Sequence, residues 1–157
     1  MFAMTAPQAK HAIKWSLIEI FDPAPKKKER LDALAHFDQR CAYCGKDLKN
    51  LRSHLDHLQA GSKEGRNHIS NRVPACQECN GNEKLARDWK FFLKSKCGQN
   101  KTTFKRREAR IKSWVRKNGR PTPFHPDVKA RVKLEIKRVS EAYSLAVREL
   151  RFLKATF

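Results

Sequence analysis

Apolar positions recur at helical spacing near both ends of the chain and lose that period in the middle. Over 7–21, Ile13, Leu17, Ile20 and Phe21 share one helical face, and Pro7 suits a first turn. Asp22-Pro23-Ala24-Pro25 stops that helix. A second is predicted over about 26–37, with Leu31, Leu34 and Phe37 inward. Residues 50–58 read as extended, with Leu51, Ser53, Leu55 and His57 on one face and Arg52, His54, Asp56 and Leu58 on the other. The turn-tolerant residues of 59–70 make a loop, and Asn71-Arg72-Val73 a short returning strand with Pro74 at its edge. A helix over about 80–95 should bury Leu85, Trp89, Phe92 and Leu93. The stretch 101–118 has Phe104, Ile111, Trp114 and Val115 as its large apolar positions, read as core, and Asn118-Gly119-Arg120-Pro121-Thr122-Pro123 breaks it. The last helix starts near Pro126 and carries a stripe from Val128 through Val132, Ile136, Val139, Tyr143 and Val147 to Leu150.

Charge divides the chain differently. Lys and Arg number 35 against 16 Asp and Glu, a formal +19, and residues 91–157 alone hold 19 basic and 5 acidic side chains. A self-repelling surface of that size suits a polyanion. Lys105, Arg106, Arg107, Arg110, Lys112, Arg116, Lys117 and Arg120 are the candidate phosphate contacts, the alternative being a solvated face. Lys26-Lys27-Lys28 opposes the dipole at a helix start, so phosphate is a candidate partner there too. No apolar run of membrane-spanning length occurs, and Met1-Phe2-Ala3-Met4 lacks the order of a secretory signal, so a cytoplasmic protein is expected.

Four of the five cysteines form two Cys-x-x-Cys pairs, Cys41/Cys44 and Cys76/Cys79, with 31 residues between them. Such pairs close a tetrahedral zinc site, and Gly45 permits the tight turn after the first. The interval is too long for a simple zinc ribbon, so it encloses structure of its own. Within it lie Asp56 and His57, and Asn80 follows the last cysteine. A neutral imidazole can take a proton from water, while one carboxylate and one amide oxygen can hold a hard divalent ion. Adjacent strand residues point to opposite faces, so Asp56 and His57 flank a phosphate only where the strand ends or bulges.

Cys-Ala-Tyr-Cys-Gly-Lys, then Leu-Asp-His-Leu, then Gly-Arg-Asn-His-Ile-Ser-Asn-Arg-Val-Pro-Ala-Cys-Gln-Glu-Cys-Asn resembles the HNH endonucleases of the ββα-metal class over roughly 38–94. The resemblance implies His57 as general base, Asp56 and Asn80 as ligands of a catalytic Mg2+ or Mn2+, and Asn71 as a tether for the loop. It makes Cys41, Cys44, Cys76 and Cys79 ligands of a structural zinc. Three departures stand out: Asn80 in place of histidine, Arg72 in place of leucine, and Leu58-Gln59-Ala60 without the frequent proline.

The expected fold is α+β, a zinc-braced ββα-metal (HNH) nuclease core over 38–97. N-terminal helices over 1–37 and a basic C-terminal helical extension over 98–157 would flank it. The expected function is divalent-metal-dependent hydrolysis of DNA, leaving 5′-phosphate and 3′-hydroxyl ends as the resemblance implies. A small restriction-type enzyme acting as a homodimer and a monomeric nicking, repair or phage-type enzyme are both open. So are an RNA nuclease and a non-catalytic zinc-containing nucleic-acid-binding module.

Overall fold

The structure is a computed structural model that describes residues 4–51 and 53–157. Arg52, expected on the face shared by His54, Asp56 and Leu58, and Met1–Ala3 lie outside the described residues. The chain divides into two compact units, Ala24–Pro121 and the chain up to Pro23 together with Thr122–Phe157.

The larger unit holds the cysteines and the hairpin. Its first helix, α2 (Lys27–His36), buries Ala33 and leads into Phe37, while Leu31 is exposed. Strands β1 (His54–His57) and β2 (Arg72–Ala75) pair antiparallel, with His54 opposite Ala75, Leu55 opposite Pro74, Asp56 opposite Val73 and His57 opposite Arg72. The extended segment is therefore shorter than the 50–58 its alternation suggested. Pro74 lies inside β2, not at its margin, because its missing N–H falls where none is needed. Its carbonyl instead accepts from the Ala42 N–H at 2.8 Å and fastens the first cysteine pair to the strand.

The single helix expected over 80–95 is two pieces. Glu78–Glu83 is a π-helical turn in which the Lys84 N–H bonds to the Cys79 carbonyl five residues back, at 3.1 Å. Leu85 then takes a left-handed conformation (φ 49°) and is exposed, correcting its assignment to the core. The Asp88 carboxylate accepts from the Lys90 and Phe91 N–H groups, both at 2.9 Å, and starts α3 (Trp89–Cys97) afresh. Phe92 and Leu93 of α3 are buried as expected.

Asn100 caps α4 (Lys101–Asn118) by accepting from the Thr103 N–H at 2.9 Å. Ile111 and Trp114 of α4 are fully buried, and the Trp114 indole N–H donates to the carbonyls of Ile69 (3.0 Å) and Arg72 (2.9 Å). One tryptophan thus seats the basic helix on the start of β2.

The smaller unit is a helical pair, α1 (Ala6–Glu19) against α5 (Pro126–Thr156). Neither helix has a fully buried residue. Among the described residues no helix is long and apolar enough to cross a membrane.

Candidate active site and metal centre

The two cysteine pairs converge. The four Sγ atoms all lie within 4.8 Å of one another, with Cys44 and Cys76 at 3.7 Å. Zinc–sulfur bonds of about 2.3 Å directed to a tetrahedron place sulfurs about 3.8 Å apart, so the donor set fits a tetrahedral zinc. Cys97, the fifth cysteine, stands outside that cluster. The first pair sits on a tight turn closed by the Gly45 N–H to the Cys41 carbonyl (2.9 Å), with Gly45 at φ 77°. The thiols share protons unequally. Hydrogen bonds from Cys41 and Cys79 hold Cys44 well down, burial pushes Cys76 up to about 11, and the bonds of Cys79 to Cys41 and Cys44 drive it up. Thiolates at that spacing repel, so protons are retained on Cys76 and Cys79, and a dication bound among them would let those thiols ionise as well.

Arg107 of α4, read from the sequence as a phosphate contact, is turned inward onto this turn. Its guanidinium donates to the carbonyls of Tyr43 (2.7 Å) and Cys44 (2.9 Å). A side chain at Gly45 would meet Arg107 Nη2 at 2.3 Å. Of the other basic residues, Arg110 pairs with Asp38, Lys112 with Glu108 at 2.8 Å, and Lys117 lies over the Trp114 ring at 5.9 Å. Lys105, Arg106, Arg116 and Arg120 are exposed.

Asp56 and His57 diverge from β1 as the pleat requires. The Asp56 carboxylate is buried against the core, where Oδ2 accepts from the Tyr43 hydroxyl at 2.6 Å and pairs with Lys84 Nζ at 3.1 Å. Lys84 is itself fully buried and also donates to the His57 carbonyl at 2.5 Å. Desolvation raises the Asp56 pKa, and the Tyr43 hydroxyl, Lys84 and Arg72 offset part of that rise. Asn80 is half-buried on the π-helical turn, which packs against β1; its N–H bonds to the Cys76 carbonyl at 3.0 Å.

The His57 ring lies among two residues its sequence motif does not flag. Arg72 Nη1 is 2.7 Å from Nδ1, and Asn67 Oδ1 is 3.0 Å from Nε2. Arg72 Nη2 also donates to Asn67 Oδ1 at 3.0 Å. An arginine only donates, so Asn67 Oδ1 is an acceptor and Nε2 must carry the proton. Nδ1 then holds the lone pair, in agreement with Nη1 beside it. Three contacts assign one tautomer. The signal for Arg72 was present in the chain as a departure from the family pattern, and strand register puts it opposite His57. Asn67 lies in a loop, and no local pattern marks it.

Asn71 makes its side-chain bonds to the loop and not to the ring. Its amide accepts from the Gln59 N–H (2.8 Å) and donates to the carbonyls of Gln59 (3.0 Å) and Arg66 (2.8 Å). His68 forms a local cap, its Nδ1 2.7 Å from the Ser70 hydroxyl.

The HNH endonuclease family model matches residues 41–84, a span that begins at Cys41, ends at Lys84 and includes all the motif residues. No curated protein matches the chain. Residues 41–84 are thus similar to the HNH endonuclease family, and the four cysteines within them are positioned to bind a metal.

Proposed function

We propose that this chain is a divalent-metal-dependent DNA endonuclease in which His57 is the general base. The observation that carries the reading is the single imidazole tautomer, with Nε2–H on Asn67 and the lone pair on Nδ1, inside the segment that matches the HNH family.

In this reading Nδ1 of His57 takes the proton of the attacking water, and Asn67 holds the ring as charge develops on it. Arg72 Nη1 covers that nitrogen in the free chain, so substrate entry must move the guanidinium aside; a phosphate oxygen is the natural acceptor for its N–H groups. Asn71 keeps the loop after β1 closed, with Gln59 and Arg66 as its anchors. Both described contacts of the Asp56 carboxylate fall on Oδ2, leaving Oδ1, with the Asn80 amide oxygen, to hold Mg2+ or Mn2+. A divalent ion bound there would offset the charge on the phosphate and on the leaving oxygen, giving 5′-phosphate and 3′-hydroxyl ends. The four cysteines brace the hairpin with zinc and take no part in the chemistry. One site cuts one strand, so two copies related by a dyad would be needed for concerted double-strand cleavage of the restriction type.

The test is incubation with supercoiled plasmid, with and without Mg2+. Wild-type protein should nick or linearise it only with the ion, and His57→Ala should remove cleavage while duplex binding persists. Wild-type protein that binds but never cuts would favour a zinc-containing binding module. A structured RNA digested in parallel separates the two nucleic acids.

A further inference from the structure

Between α2, the first cysteine turn and α4 lies a cleft of about 380 Å³, within the larger unit. Four arginines line it, Arg40, Arg106, Arg107 and Arg110, against one acidic residue, Asp38. Arg40 Nη1 donates to the Gly45 carbonyl at 3.1 Å, and Arg107 donates to the Tyr43 and Cys44 carbonyls and to the Cys97 sulfur at 3.7 Å; among the described residues no carboxylate pairs with either, so their charge is not cancelled. Arg110 is neutralised by Asp38. Arg106 is exposed and makes no hydrogen bond or ion pair among the described residues.

The wall opposite α4 is held in an unusual shape. Asp38 and Gln39 both adopt left-handed backbone (φ 52° and 55°), a conformation that non-glycine residues rarely take in succession. Gln39 is fixed there from both sides: its N–H donates to the Leu34 carbonyl at 2.8 Å, and its carbonyl accepts from the Leu48 N–H at 2.7 Å. Local strain held by surrounding structure accompanies binding sites more often than plain surface. Arg40 follows directly and comes from outside the basic run of α4.

We infer that this cleft is a phosphate-binding site for the nucleic-acid backbone, separate from the His57 site, with Arg40 and Arg106 as its ligands and Arg107 as its rigid floor. Arginines brought to one cleft from two segments suit the non-bridging oxygens of a phosphodiester, whereas a solvated basic face needs no concavity. The contact would position the duplex without reading its bases. A nucleic acid as occupant rests on the substrate class proposed above.

The experiment is fluorescence anisotropy of a labelled 20-base-pair duplex with the full chain in magnesium-free buffer, so the readout is binding and not cleavage. The paired variant Arg40→Ala with Arg106→Ala is compared with Lys133→Ala with Arg151→Ala, which removes equal charge from exposed positions on α5. The cleft pair should weaken binding roughly tenfold at 0.1 M salt and flatten the slope of log affinity against log salt by about 2. Zinc content and thermal midpoint should match wild type, since neither residue packs in the core. Equal losses from the two pairs, or an unaltered slope in the cleft pair, would overturn the site. Displacement of the duplex by millimolar dAMP would overturn it too, by making the cleft a mononucleotide pocket. Binding through the cleft by a chain that never cuts would sustain this inference while removing the nuclease reading.

Discussion

If His57 is the base proposed above, its use depends on which ring nitrogen carries the proton, and that choice is made by Asn67 and Arg72. Asn67→Leu removes the acceptor for Nε2–H, so kcat should fall about 10–100-fold with KM little changed. Asn67→Asp keeps an acceptor and should recover much of the rate; equal losses in both variants would mean that the residue only shapes the loop. The nitrogen resonances of His57 should independently report a proton on Nε2 in wild type. A second residue-scale prediction concerns Arg107. Arg107→Ala loses two charge-assisted bonds to the Tyr43 and Cys44 carbonyls and should destabilise the larger unit by about 1.5–3 kcal/mol in urea unfolding. At this scale the motif residues were legible because the chemistry demands their types in order. Asn67, Arg107 and Lys84 were not, because what distinguishes them is a partner 10, 63 or 27 residues away.

Among the elements, the π-helical turn changes most about the site. In an α-helix residues five apart diverge, but the wider turn brings Cys79 and Lys84 toward one side. Lys84 thereby reaches Asp56 of β1 from the end of the turn that carries Cys79. Lys84→Met should cost about 3–5 kcal/mol, because the Asp56 carboxylate would remain buried without its cation. Pairing it with Asp56→Asn should return part of that loss, and a double-mutant cycle in urea reads the coupling. No coupling would place the two charges in solvent. Helical period located α1, α2, α4 and α5 well, since each has a continuous apolar stripe or a clear breaker. It failed between 80 and 95, where the π-helical turn and the left-handed Leu85 override the pattern. It also overextended β1, since alternation marks extended chain and only pairing makes a strand.

For the whole molecule, the sulfur cluster and the core of the larger unit should dominate stability. One zinc per chain is expected by metal analysis, and its removal by a strong chelator should unfold the hairpin region with loss of duplex cleavage. Acidification should release it, because protons compete for the thiolates. Amide exchange should be slowest around Ile111 and Trp114 and much faster along α5, which has no fully buried residue. Comparable protection in α5 would show that a partner covers it.

The chain alone settled what kind of chemistry is available. Two cysteine pairs, an acid, a histidine and two asparagines in that order specify ligand types and spacing, and those are local properties. Its basic excess likewise indicated a polyanion, because net charge is independent of conformation. Tertiary structure decided how each group is used. Pleating turned Asp56 away from His57, register set Arg72 against the ring, and packing drew Arg107 inward while Arg40 and Arg106 line one cleft. Those outcomes depend on contacts between distant segments, and no window of sequence carries them.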